Sequence, residues 1–317
     1  MTHVSLLPTE ILDSLCTSAD PQSGRFVRLP HPRTGLPSLF LVSGVSMGTI
    51  MEIQAIDATH PRSWFLDEEI IADGKLLMML PIDPAFLLIS ILRVVPSDGN
   101  LGTFQPVDDI LEQAASKLGV TASNAKDTSK TLFEDDILHF TALDCAKSAI
   151  SRICDFQDIT PEIRVCRYSP QKVTEYLRKK VDGVLDAGVL DESKTITRGL
   201  AKDGLMEDGN ERLLQAARTK AACDIVSQYI SPEIRATLME SYREDFAELD
   251  AYMKKLEDEK MVVDQPVPPT KGRRKTGTDV PTEKPKRKAE KGSVGVEKLK
   301  KANINGMAKL STFFKKA

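Results

Sequence analysis

Residues that could carry out covalent or metal chemistry are sparse here and poorly grouped. A nuclease or phosphatase needs several carboxylates converging on a divalent cation, and the densest internal group is Glu134-Asp135-Asp136. That triplet stands just before a helical pattern, where carboxylates interact favourably with the positive end of a helix, so it reads as a helix start. The four histidines, His3, His31, His60 and His139, include no pair at the i, i+4 spacing of a zinc-binding helix. Five cysteines without a Cys-x-x-Cys pair fit neither a disulfide framework nor a zinc ribbon, and read as reduced, mostly buried thiols. No Gly-rich phosphate loop, nucleophile elbow or kinase motif occurs. The residue groups that point to a function are apolar and cationic instead. Met307, Leu310, Phe313 and Phe314 are spaced so that one helical turn projects the leucine and both rings to one side, which requires a groove on a partner. Arg273-Arg274-Lys275 and Lys286-Arg287-Lys288 are two basic clusters with a spacer between them, suited to the two acidic grooves of a nuclear-import carrier. Binding, not catalysis, is the expected work, and the nucleus the expected compartment.

These groups sit at the end of a chain with a marked charge asymmetry. The formal net charge is -3, yet residues 271–317 hold 15 Lys or Arg against 4 Asp or Glu, while the other 270 residues hold 28 against 42. An acidic body therefore carries a basic arm, and such blocks resist packing because they repel themselves and lack apolar content. The arm can also attract phosphates without regard to sequence. The length of 317 residues and a 41% hydrophobic content allow about two folded units. No basic segment followed by a long apolar run opens the sequence, and no apolar stretch reaches the roughly 18 residues of a membrane span, so a soluble intracellular protein is expected.

The elements follow from periodicity. Short runs rich in β-formers at residues 25–29, 38–42, 49–56, 63–66 and 75–80 predict a small antiparallel barrel or sandwich. Asp73-Gly74, between Ile70-Ile71 and Leu76-Leu77, predicts a hairpin turn. Asp83-Pro84 then supplies a cap and a first-turn proline for a helix over 85–95. Pro96-Ser97-Asp98-Gly99-Asn100 breaks that helix and predicts a boundary. Beyond it the period is helical over 107–118, 136–150 and 169–185, the last with Val173, Leu177, Val181 and Val184 on one face behind Ser169-Pro170. A polar interval over 191–210 reads as loop, with Gly183, Gly188, Gly199, Gly204 and Gly209 as turn residues. Helical patterning resumes over 212–230 and 232–256. The organisation expected is an α+β chain: an N-terminal segment (1–24), a β-barrel unit (25–95), a mainly helical unit (96–256) and a disordered basic tail (257–317). Within that tail, residues 296–302 have the composition of a short helix.

Several of these segments, taken in order, resemble the family of ribonuclease H2 B subunits. The likeness rests on Ser63-Trp64-Phe65, residues 74–77, Pro81-Ile82-Asp83-Pro84, Phe86-Leu87-Leu88 and Gly102-x-Phe104-Gln105-Pro106. It continues through Tyr168-Ser169 with Lys172, Leu177, Lys179, Lys180 and Val181. Met307, Leu310, Phe313 and Phe314 are similar to the peptide box that docks on the PCNA sliding clamp, with Met307 where Gln is commonest. Losing that polar contact implies weaker binding. Burying three such anchors is worth roughly 4 to 9 kcal/mol, of which ordering the segment returns about 2 to 5, so a micromolar or weaker tether is expected.

The resemblance implies a non-catalytic scaffold in a heterotrimer, whose other members are a catalytic A subunit, and a C subunit. The barrel would then be part of a triple barrel shared with a partner, and the second unit winged-helix-like. The family enzyme cleaves RNA in RNA:DNA hybrids and incises at single ribonucleotides in duplex DNA. Its magnesium belongs to the catalytic member, which leaves this chain with no cofactor and no catalytic or metal-binding residue. Phe40, Leu41, Trp64 and Phe65 are candidates for the shared core, and equally for ordinary intrachain core. The alternative is a freestanding winged-helix DNA-binding protein of replication or repair that uses the clamp box by itself. The acidic body argues against it, since Arg178, Lys179 and Lys180 form a small cluster for such a role.

Overall fold

Strands that alternate apolar and polar side chains build the first layer of the protein. A computed structural model describes residues 2–17, 24–43, 49–95, 102–120, 131–160 and 163–263. A five-stranded sheet has the order β1 (Val4–Leu6), β7 (Leu76–Pro81), β4 (Thr49–Ile56), β3 (Pro37–Ser43) and β2 (Gly24–Pro30). β1 runs parallel to β7 and the other pairs are antiparallel. Val27 lies opposite Phe40, and Val42 opposite Ile50, so these four share one face. That face meets α2 (Pro84–Leu92) in the main core. The opposite face presents Leu41, Met51 and Met79, which pack with Ile11 of α1 (Thr9–Thr17) into a smaller cluster.

The expected β-rich runs are strands, but the hairpin lies elsewhere than Asp73-Gly74. β6 (Glu69–Ile71) pairs with β5 (Trp64–Leu66) and not with β7, so the tight turn is Asp67-Glu68. Asp67 adopts φ 50°, a left-handed conformation that Asp tolerates better than most residues. Gly74 serves clearance: a Cβ there would collide with the Arg62 carbonyl.

α2 begins as its sequence dictates. The Asp83 carboxylate accepts the Ala85 N–H at 3.0 Å, and Pro84 occupies the first turn, where no N–H is required. Helix residues from Ala85 to Leu92 are all buried, because the helix is wrapped by the sheet on one side and by later helices on the other. The break expected at residues 96–100 lies outside the described residues.

The second region is less purely helical than its sequence implies. β8 (Gln105–Pro106) leads into α3 (Val107–Leu118). After α4 (Glu134–Thr141) and α5 (Asp144–Ile150) comes a hairpin of β9 (Cys154–Thr160) and β10 (Ile163–Tyr168). These strands form a sheet in the order β8-β10-β9, the arrangement of a helix-turn-helix carrying a wing. The single helix expected over 136–150 is two helices. At about 100° per residue, Ala146, Ala149 and Ile150 would face away from Ile137, Phe140 and Thr141 in one straight helix, and a break lets both sets reach the core.

Ser169 caps α6 (Pro170–Asp186) through the Lys172 N–H, and Val173, Leu177 and Val181 are buried as expected. The polar interval read as loop contains α7 (Val189–Glu192) and α8 (Lys194–Lys202), the latter capped by Ser193. Gly188, Gly204 and Gly209 do take positive φ at turns, whereas Gly183 and Gly199 lie inside helices. α9 (Glu211–Val226), a 3₁₀ turn (Ser227–Tyr229), α10 (Pro232–Glu240) and α11 (Arg243–Val263) complete the described chain. Among the described residues no helix is long and apolar enough to cross a membrane.

Candidate assembly interface

The first sheet is covered on only part of its inner face. α2 seals the side built from β2, β3 and the start of β4. On the other side Leu6 of β1, Ile56 of β4 and Leu80 of β7 are 55%, 49% and 40% exposed. Cross-strand pairing puts them on one face with the half-buried Leu76 and Met78, since Ile56 lies opposite Leu76, Leu6 opposite Met78 and Leu80 opposite Glu52. β7 reads Leu-Leu-Met-Met-Leu, apolar at every position. A strand with one wet face alternates, and a continuous apolar run suits a strand covered on both. Met79 is covered from within the chain; Leu80 is not.

The β5–β6 hairpin carries a second set of exposed apolar side chains. Phe65 and Ile70 form a cross-strand pair and are 75% and 67% exposed, with Leu66 also exposed beside them. Trp64 is half-buried, its indole N–H donating to the Lys75 carbonyl at 3.0 Å. Of the four residues considered for a shared core, Phe40 is fully buried in the main core and Leu41 belongs to the α1 cluster. Both are used inside this chain, and Phe65 is the one turned fully outward. The exposed Leu6, Ile56, Leu80 and Ile70 escaped sequence reasoning, although the unbroken apolar run of β7 is a signal for them.

The sheet edges differ. At β2 the Arg28 N–H donates to the Asp136 carboxylate at 2.9 Å, and Arg25 pairs with the same side chain at 3.1 Å. This blocks that edge with α4, a way of suppressing indiscriminate strand pairing. β1 forms the other edge and has β7 as its neighbour.

Two carboxylates fix the sheet to the helices. Glu52 is 4% exposed on the inner face. His31 Nε2 lies 3.3 Å from one of its oxygens, and the Gln54 amide donates to the other at 2.9 Å. Burial alone would raise its pKa, but hydrogen bonds from His31, Gln54 and Tyr229 hold the carboxyl below its ordinary value. Asp83 is likewise pulled down against the effect of burial, by Lys180 at 2.7 Å and by the Ala85 N–H.

Chemistry-bearing groups do not gather. Glu134, Asp135 and Asp136 occupy the first turn of α4, as their placement implies. Among the described residues no three His, Cys, Asp or Glu side chains come together in a way that could hold a metal ion. Cys154, Cys166 and Cys223 are buried free thiols, and burial pushes Cys223 up to about 12. The clamp-box residues Met307, Leu310, Phe313 and Phe314, the import-signal residues Arg273, Arg274, Lys275, Lys286, Arg287 and Lys288, and the segment 296–302 lie outside the described residues.

Comparisons with known proteins agree with this geometry. Residues 6–83 match the family model described as the Ydr279p protein triple barrel domain. Residues 86–239 match that of the Ydr279p protein family (RNase H2 complex component) wHTH domain. The chain is similar to proteins named as the B subunit of ribonuclease H2. That of Xenopus laevis is 26% identical, covering 91% of this chain and 85% of the relative. That of Schizosaccharomyces pombe is 24% identical over 94% and 96%. The human protein is 24% identical over 91% and 85%.

Proposed function

Because the chain belongs to the Ydr279 family of RNase H2 complex components, we propose that it is the non-catalytic scaffolding and recruiting subunit of that complex. Its partners are then the catalytic A subunit, and the C subunit. The assembled enzyme cleaves RNA in RNA:DNA hybrids and incises at single ribonucleotides in duplex DNA, in replication and in ribonucleotide removal. The carboxylates and magnesium that carry out cleavage belong to the catalytic partner, and this chain holds that partner in place.

The observation that carries this reading is the half-covered sheet. Leu6, Ile56 and Leu80 are exposed on one face of the sheet around β7, whose composition calls for cover on both faces, and Phe65 and Ile70 are exposed on the β5–β6 hairpin. A partner chain that continues the barrel supplies that cover, and the burial of each such side chain contributes about 1.5 to 3 kcal/mol if complete. The recruiting half of the role rests on the sequence: the box at Met307, Leu310, Phe313 and Phe314 fits a groove on the PCNA sliding clamp, and the paired basic clusters fit nuclear import. Tethering lets weak clamp contacts act through effective concentration.

Expression with and without the two partner chains tests the proposal. Aggregation or low yield alone, with rescue as a stoichiometric three-chain complex, is the expected result; a monodisperse isolated chain that ignores both partners would overturn it. Purified chain assayed with magnesium on a hybrid substrate should show no cleavage, and turnover that survives removal of the partner chains would end the non-catalytic assignment.

A further inference from the structure

A helix-turn-helix ordinarily enters the major groove through the first residues of its second helix. In this chain the start of α4, the helix that packs on α3, is closed. Glu134, Asp135 and Asp136 fill the first turn of α4, Asp136 is held by Arg25 and the Arg28 N–H of β2, and Ile137 and Phe140 are buried in one core with Val27 and Leu29. Asp136 is pinned to the edge strand β2, and a first turn of three carboxylates repels the phosphates that flank a groove.

The cations lie on another surface. A concavity of about 580 Å³ where the end of α5 meets α6 is lined by Arg152, Lys172, Lys179 and Lys180, with Tyr176 and one carboxylate, Glu175. With Asp83 and Asp155, which pair with three of these cations, the region holds four cations to three anions, a local excess of positive charge in a body where acids outnumber bases. Three of the charged heads are already in place: Arg152 and Lys180 on Asp83, and Lys172 on the Cys154 carbonyl at 2.7 Å with Asp155 at 3.8 Å. Little ordering remains to be done when an anion arrives. Lys179 is exposed and makes no ion pair among the described residues. Arg178 is committed elsewhere, donating to the Ser241 carbonyl and stacking on Tyr242.

We propose that this concavity binds consecutive backbone phosphates of a nucleic-acid strand, and so positions the duplex without reading its sequence. Lys172 and Lys179 are two helical turns apart, about 10 Å, which lets the two cations meet different phosphates of one strand. An acidic peptide is the less suitable ligand, because the one ring that lines the concavity, Tyr176, is buried and leaves mainly charged heads to meet a partner. The inference deepens the reading above, in which the complex brings a nucleic acid to this chain.

The test uses the assembled three-chain complex and a short DNA duplex, with affinity measured from about 50 to 200 mM salt. Lys179→Glu should weaken binding equally on unrelated sequences and reduce the slope of log affinity against log salt by about one, and Lys172→Gln/Lys179→Glu by about two. Lys254→Glu, the same charge change at an exposed position of α11, should leave the slope unchanged. The proposal is overturned if Lys179→Glu leaves the slope unaltered, if Lys254→Glu has the same effect, or if Lys179→Glu blocks formation of the complex, which would make the concavity a protein interface. Failure of the wild-type chain to assemble would count against the scaffold reading instead, and the same slopes are then read on the full chain alone.

Discussion

Arg152 Nη1 lies 3.2 Å from both carboxylate oxygens of Asp83, 69 residues away in sequence. The same carboxylate caps α2 and meets Lys180 of α6. One side chain therefore joins the exit of the β-sheet to α6 and to the turn that follows α5.

Asp83→Ala removes the cap and the counter-ion together. A lost cap costs about 0.5 to 2 kcal/mol, and the half-exposed Arg152 and Lys180 add little more after solvent screening. A loss of about 1 to 3 kcal/mol in urea unfolding is expected. Asp83→Asn keeps an acceptor for the Ala85 N–H and should lose less; equal losses would show that the cap contributes nothing.

The hairpin and the caps show what sequence can reveal. Asp83-Pro84 and Ser169-Pro170 each combine a side-chain acceptor with a proline that needs no donor, and both open helices as expected. Gly74 misled because glycine answers two needs, positive φ and close approach, and here the Arg62 carbonyl demands the second. The true turn, Asp67-Glu68, contains no glycine. β9 and β10 were hidden because Asp155, Gln157 and Asp158 dilute their alternation, although Cys154, Cys166 and Tyr168 bury one side. β1 has three residues, too few for any period, and only its parallel pairing with the distant β7 makes it a strand. The assembly surface was half legible: Phe65 is outward, while Phe40 is core because a neighbouring helix, invisible to local pattern, seals its face.

Stability should fall in acid through Glu52 and Asp83. Both carboxyls are held below their ordinary values in the folded protein. The stabilisation is complete above the unfolded-state range near pH ~4 and is lost as pH falls through the lower folded values. Unfolding free energies measured from about pH 6 to 3 should decline less steeply for Glu52→Gln than for the wild type. An unchanged slope would show that Glu52 is not held low.

Substitution on the two faces of the sheet should separate folding from assembly. Phe40→Ala empties a core position and should cost about 3 to 5 kcal/mol. Leu80→Glu changes an exposed position, so the unfolding midpoint of the chain should barely move while co-purification with the partner chains is lost. Intact assembly by Leu80→Glu would remove β7 from the interface.

Phe313→Ala/Phe314→Ala should abolish binding to the sliding clamp and leave the assembled enzyme fully active on short substrates. A pull-down with purified clamp checks the first outcome and a cleavage assay the second. Undiminished clamp binding would reject the box.

Oxidative footprinting of the methionines, on the soluble fraction of the chain alone and on the three-chain complex, tests the shared barrel most directly. Met78 lies on the uncovered face of β7, and Met206 is 56% exposed in a turn far along the chain. Assembly should protect Met78 several-fold and leave Met206 as reactive as before. Equal oxidation of Met78 in both states would contradict the account, because the apolar face of β7 would then still be open to water.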